Sequence, residues 1–228
     1  MGAVPDLKQI PSFIDHTLLK PDASAAGIDR LCQEAVQFNF YSVCVNGQWV
    51  SRCREALQGS QVKISVVVGF PLGAGQSEVK AYEAAKAAEN GANEIDMVLA
   101  VGSLLEGDFA GVRTDIRKVV EAVKGGAIVK VILETGFLNE EQKVMACRLS
   151  EETGAHYVKT STGFGPGGAT VEDIRLMRAN VSASLGVKAS GGVRDLDAAV
   201  RMIEAGATRL GTSSGVAIMN GLQSSSSY

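Results

Sequence analysis

Two lysines, Lys159 and Lys188, follow short apolar runs, Tyr157-Val158 and Val187. An ammonium drawn into an apolar interior at either place is costly unless it is paired or deprotonated. If the two runs are neighbouring strands, about 4.8 Å apart, each positive charge opposes the other, and both burial and a like charge lower a lysine pKa. The product is a free amine, which condenses with a carbonyl to give a Schiff base. That iminium is an electron sink, so the carbon–carbon bond one position away can break or form. Asp96, within the run Glu94 to Leu99, is suited to move protons on and off the intermediates. For any one of these residues the alternative is a strand-end charge that snorkels to water. Their number favours chemistry: Asp15, His16, Lys130 and Glu134 also fall in or next to apolar runs.

A second constellation suits an anion. Gly191-Gly192 follows the run that carries Lys188, and Gly211-Thr212-Ser213-Ser214-Gly215 follows the last apolar run. Glycines allow close backbone approach, hydroxyls add donors, and N–H groups at a helix start favour negative charge. Two such turns after consecutive strands point to a phosphorylated substrate.

The elements needed to position these groups alternate from end to end. Strands are predicted at Ser12 to His16, Tyr41 to Val45, Lys63 to Gly69, Glu94 to Leu99, Ile128 to Leu133, His156 to Lys159, Gly186 to Ala189 and Arg209 to Gly211. Helical spacing recurs between them, as in Trp49, Cys53 and Leu57; Phe109, Val112, Ile116, Val119 and Val123; and Leu196, Val200 and Ile203. Thr170 ahead of Asp173, and Asn139 ahead of Gln142, read as helix starts. Gly91-Ala92, Gly154-Ala155 and Gly206-Ala207 read as helix stops. Eight βα units without a Pro/Gly/Ser-rich break favour a single-domain α/β fold, a closed (β/α)8 TIM barrel, over an open doubly wound sheet. The barrel is expected over residues 1–220, with a flexible C-terminal tail over 221–228 that includes Ser224 to Ser227 and Tyr228.

Bulk properties narrow the setting. The chain has 228 residues, 46% of them hydrophobic, with 26 glycines and a formal net charge of -3. No basic run advertises nucleic acid or a membrane surface. Pro5, Asp6 and Lys8 interrupt any apolar core at the start, so a cytoplasmic location is expected. Cys32, Cys44, Cys53 and Cys147 form no C-x-x-C pair and read as reduced thiols rather than disulfides or zinc ligands. His16 and His156 are the only histidines, and neither lies in a zinc-binding spacing, so no metal is expected.

The segment Val158-Lys159-Thr160-Ser161-Thr162-Gly163 resembles the Schiff-base signature of the deoxyribose-phosphate aldolases. The likeness runs along the chain through Asp15-His16-Thr17-Leu18-Leu19, Val43-Cys44-Val45-Asn46, Gly69-Phe70-Pro71-Leu72-Gly73, Glu94-Ile95-Asp96-Met97-Val98, Lys130 to Thr135, and Lys188-Ala189-Ser190-Gly191-Gly192. This resemblance implies reversible cleavage of 2-deoxy-D-ribose 5-phosphate to D-glyceraldehyde 3-phosphate and acetaldehyde, without metal or dissociable cofactor. It makes Lys159 the nucleophile, Lys188 the neighbour that depresses its pKa and relays protons, and Asp96 the proton donor and acceptor. Cys44, Thr17 and Leu19 would line the pocket, while Gly163, Gly191, Gly192, Ser213 and Ser214 would hold phosphate. Tyr228 resembles a C-terminal tyrosine that some members fold into the site. Some members carry a lysine directly after T-S-T-G; this chain has Phe164, which shifts phosphate binding toward backbone donors.

Partners on this reading are phosphorylated sugars and aldehydes, with neither nucleic acid nor membrane; a homodimer or higher homo-oligomer is left open. Two rival readings are a different phosphate-binding Schiff-base barrel, transaldolase-like or thiazole-synthase-like, and a non-catalytic barrel scaffold. Retention of Lys159, Lys188 and Asp96 argues against the scaffold. For Cys44, inactivation by aldehydes and an inert buried thiol both remain open.

Overall fold

The computed structural model describes residues 7–222. The apolar runs form eight short strands: β1 (Ile14–Leu18), β2 (Ser42–Val45), β3 (Lys63–Val68), β4 (Glu94–Val98), β5 (Ile128–Ile132), β6 (Tyr157–Lys159), β7 (Gly186–Ser190) and β8 (Arg209–Thr212). All neighbouring pairs are parallel, and β8 pairs with β1, so the sheet closes in sequence order as a (β/α)8 barrel. Burial is nearly continuous along the strands, as it must be when helices cover the outer face and side chains fill the interior.

Nine α-helices are described: α1 (Ala25–Gln37), α2 (Val50–Ala56), α3 (Ser77–Asn90), α4 (Val101–Leu105), α5 (Phe109–Ala122), α6 (Glu140–Glu152), α7 (Val171–Ala179), α8 (Leu196–Glu204) and α9 (Gly215–Met219). The start signals behave as their chemistry requires. Thr170 accepts from the Asp173 N–H at the head of α7, and Asn139 with Gln142 forms a reciprocal capping box at α6. Gly91, Gly154 and Gly206 take positive φ where their helices stop. On α8 the fully buried residues are Ala199 and Met202, whereas Leu196, Val200 and Ile203 are only partly buried against the core. No helix among the described residues is long and apolar enough to cross a membrane.

The first strand departs most from expectation, the others agreeing to within one residue at each end. Ser12 and Phe13 belong to a 3-10 segment, Leu7–Phe13, rather than to the first strand. Pro11 lies inside that segment, and the Ser12 hydroxyl donates to Gln9 O at 2.7 Å. The strand therefore starts at Ile14 and runs on to Leu18, which makes Asp15 its second residue, inside the barrel, and not a charge at the strand exit. The tail expected over 221–228 falls largely beyond the described residues, and Tyr228 with it.

On the outside of the barrel, Lys80 of α3 is buried and donates to Asp115 of α5 at 2.7 Å and to Val98 O, at the end of β4, at 3.0 Å. This pair joins two helices to the strand that carries Asp96. Removing one partner strands a buried charge, whereas replacing both with apolar groups does not. Lys80→Met is expected to destabilise by about 3–5 kcal/mol, and the double variant Lys80→Met/Asp115→Leu by clearly less. Denaturant unfolding of the three proteins checks this; a double variant less stable than the single one would contradict it.

Candidate active site

The inner face of the sheet is set by register. Lys159 pairs with Lys188, Lys188 with Arg209, Asp96 with Lys130, and Asp15 with both Ser42 and Gly211. These side chains therefore converge on the barrel axis, and all of the charged ones are at most 3% exposed.

Asp96 is the hub. Its Oδ2 accepts from Lys159 Nζ and from Lys188 Nζ, both at 2.8 Å, while its Oδ1 accepts from Lys130 Nζ at 2.7 Å and the Ser65 hydroxyl at 3.0 Å. The two lysines whose adjacency the chemistry demands thus share one oxygen. Lys188 also donates to Asp15. Asp15 in turn accepts from Arg209 at 2.9 Å and from the Ser42 hydroxyl at 2.7 Å. Glu94 closes the lower end, taking Lys130 at 2.6 Å and Arg209 at 3.0 Å. The Arg209 guanidinium lies 3.4 Å from the centre of the Tyr41 ring, plugging the barrel floor.

The charges of this network do not cancel. Among the described residues it joins three carboxylates, Asp15, Glu94 and Asp96, to four basic groups, Lys130, Lys159, Lys188 and Arg209. A surplus buried cation is expensive, and loss of one proton removes it. Lys188 and Lys130 each meet two or more carboxylates; despite burial, Asp15 and Asp96 hold Lys188 well above the usual lysine range, and Asp96 chiefly holds Lys130 above it. Lys159 has one carboxylate. Its pKa is lowered, first by burial and then by the Lys188 charge, against the opposing pull of Asp96. Burial therefore outranks the neighbouring cation as the cause, a reversal of the emphasis drawn from sequence. Asp96, although burial opposes its ionisation, is held well below the usual carboxylate range by Lys130, Lys159 and Lys188. The arrangement is a neutral-capable amine against an ionised carboxylate.

Beside it, Leu19, Cys44 and Val67 form a small apolar cluster with Phe70 packed on it. Thr17 shares the inner face, paired with Cys44, and its hydroxyl donates to Asp15 O at 2.8 Å. Burial pushes the Cys44 thiol up, which makes it a poor nucleophile in this state.

Above strands β6 to β8 a cavity of about 270 Å³ is lined by Gly163, Gly167, Gly168, Gly191, Gly192, Val193, Arg194, Thr212, Ser213 and Ser214. All five residues singled out from sequence for phosphate line it. Arg194, which sequence reasoning missed, adds a cation; the only signal was a basic residue directly after Gly191-Gly192-Val193. Gly211 lies inside β8, where a Cβ would come 3.0 Å from Lys188 Cε and 2.7 Å from Ser190 Oγ, so it makes room for the lysine.

A family model described as DeoC/LacD family aldolase matches residues 12–221. The chain belongs to that family. Relatives named deoxyribose-phosphate aldolase include one from Geobacillus sp. (strain WCH70), 57% identical over 96% of this chain and 98% of the relative. Another, from Brevibacillus brevis, is 60% identical over 94% and 97%. A solved tetrameric deoxyribose phosphate aldolase from Aeropyrum pernix superposes with a TM-score of 0.88 at 33% identity, covering 94% of this chain and 91% of that one. Phe164 follows Gly163 in the loop after β6, and Arg194 brings a cation to the cavity.

The electrostatics fix a sign. Replacing Lys188 by leucine removes a positive charge from beside Lys159, so the amine holds its proton more tightly. The acid limb of the pH profile for imine formation should move to higher pH. The check is the rate of borohydride-trapped adduct formation with acetaldehyde across pH; an unmoved limb, or one displaced downward, would contradict the coupling.

Proposed function

We propose that the chain is a deoxyribose-phosphate aldolase, a lyase that reversibly cleaves 2-deoxy-D-ribose 5-phosphate to D-glyceraldehyde 3-phosphate and acetaldehyde through a Schiff base on Lys159. The observation that carries this is the Lys159–Asp96–Lys188 contact, in which the amine of lowered pKa meets an ionised carboxylate, in a chain of the aldolase family.

On this reading neutral Lys159 attacks C1 of the open-chain sugar, and the carbinolamine loses water to leave a cationic iminium. Asp96, already ionised, stabilises that new charge where it forms. The C2–C3 bond then breaks as the proton leaves the C3 hydroxyl; C3 departs as the aldehyde of glyceraldehyde 3-phosphate, and the bonding pair becomes an enamine. A proton returns to C2, and water releases acetaldehyde and the amine. Asp96 carries these protons, with Lys188 donating to the same oxygen as its relay partner. The iminium serves as the electron sink, so the route calls for neither metal nor dissociable cofactor. Gly163, Gly191, Gly192, Ser213 and Ser214, joined by Arg194, hold the phosphate. Thr17, Leu19 and Cys44 line the reacting end.

The same proposal covers the setting: a cytoplasmic enzyme of phosphorylated sugars and aldehydes, barrel over residues 1–220 and tail over 221–228, assembling as a homo-oligomer. Tyr228 is a candidate contributor to the site.

Two measurements test the reading. Borohydride reduction with 2-deoxyribose 5-phosphate, followed by peptide mass mapping, should place the adduct on Lys159; Lys159→Leu should fold normally and lose on the order of 10⁴-fold or more in turnover. Activity within tenfold of wild type would remove Lys159 as nucleophile. Arg194→Ala deletes a charge-assisted phosphate contact of about 1.5–3 kcal/mol. The ratio of kcat/KM for deoxyribose 5-phosphate to that for deoxyribose should fall roughly ten- to a hundredfold; an unchanged ratio would take the phosphate out of this cavity.

A further inference from the structure

Glu134 stands two residues beyond the end of β5 and has no part in the charge network. Its backbone is left-handed, with φ 54° and ψ 61°, a strained conformation for a non-glycine residue that persists only where its surroundings impose it. Its side chain is buried at 3% exposure, and among the described residues no cation pairs with it. A carboxylate so placed must be satisfied by neutral donors. Both donors come from one residue of the next loop: the Thr162 N–H, at 3.2 and 3.3 Å from the two oxygens, and the Thr162 hydroxyl. That hydroxyl then accepts from Phe164 N–H at 3.0 Å.

The loop so gripped runs from the end of β6 to α7, and it delivers Gly163, Gly167 and Gly168 to the cavity above β6 to β8. Its far side is tied to β7: Thr160 and Ser190 exchange hydrogen bonds at 2.9 and 3.0 Å, and Ala169 N–H donates to Gly191 O at 2.8 Å. Its near side rests on Glu134 and the residues around it. Thr135 N–H donates to Thr160 O at 3.0 Å, and a Cβ on Gly165 would come 2.9 Å from the Glu134 carboxyl.

We propose that Glu134 is a positioning residue for phosphate recognition: its carboxylate fixes Thr162, and through Thr162 it sets the place of Gly163 and the loop that forms one wall of the anion cavity. It touches neither the reacting carbons nor the phosphate. The proposal rests on the reading of that cavity as the phosphate site, so Arg194→Ala serves as the reference.

The experiment measures, for Glu134→Ala, Glu134→Gln and Gly165→Ala, the ratio of kcat/KM for deoxyribose 5-phosphate to that for deoxyribose. A wall displaced by about an ångström lowers this ratio roughly ten- to a hundredfold in Glu134→Ala, mostly through KM. Gly165→Ala pushes the carboxylate aside without removing it and lowers the ratio in the same sense. Glu134→Gln keeps an acceptor oxygen for Thr162 and restores most of the ratio. If the ratio falls in Arg194→Ala but holds in both alanine variants at Glu134 and Gly165, the positioning role is overturned. If both substrates lose activity equally, Glu134 supports the fold and not phosphate recognition, which also overturns it. If Arg194→Ala itself leaves the ratio unchanged, the cavity reading fails first. Should Glu134→Ala not fold, Gly165→Ala and Glu134→Gln decide alone.

Discussion

The structure depends on one oxygen that two lysines share. Asp96 Oδ2 takes a hydrogen bond from Lys159 and another from Lys188, and each competes for the same negative charge. Lys188 has Asp15 as a second carboxylate and Lys159 has none, so the competition has a settled outcome. The cation that is better compensated is held more firmly in its protonated form, and the other has its pKa lowered. The asymmetry lies in the partners, since both side chains are buried to nearly the same degree.

This outcome requires register more than proximity. A strand slipped by one residue would turn its inner set outward, and the network spans β1, β4, β5, β6, β7 and β8. Closure of the barrel supplies the missing constraint, because β8 must pair with β1 in a register that brings Asp15 level with Gly211. The absent side chain at that position leaves space for Lys188 to reach Asp15. Below, Glu94, Arg209 and Tyr41 seal the floor and keep the charges of the middle layer from water. Helices α3 and α5, tied through Lys80 and Asp115 to the end of β4, hold the strand on which the hub residue sits.

Much of this was legible in the sequence. Eight apolar runs separated by amphipathic stretches gave the element count and the barrel, because burial on both faces leaves an unbroken apolar signal that survives short strand length. The chemical residues were legible as costly charges inside such runs. Their ranking was not, since it depends on partners brought together by closure: Arg209 and Asp15 lie 194 positions apart. The first strand starts two residues later than expected because Ser12 and Phe13 suit a strand as well as they suit the 3-10 segment that contains Pro11. Arg194 escapes a reading of the sequence for a related reason, and Glu134 stands out there only as one more charge next to an apolar run. One is an exposed arginine with no local pattern, and the other is a strand-end acid whose importance comes from a backbone conformation that composition does not reveal.

The two halves of the site are therefore made of different material. Lys159 and Asp96 stand on β6 and β4, either side of β5, where side-chain placement follows from hydrogen-bonded register and cannot drift without breaking the sheet. The cavity above β6 to β8 is lined largely by glycine-rich loops, and its shape follows from how those loops are tied to one another. On the proposed mechanism, a substitution in a strand alters the pKa order that imine formation needs, whereas a substitution in a loop alters how the phosphorylated end of the substrate is held. Phe164 belongs to the loop and lies outside the network below, while Arg194 and the tied backbone line the cavity. On the same proposal, residues 134 and 160–168 tune substrate preference while the order of protonation among Lys159, Lys188 and Lys130 stays with the strands.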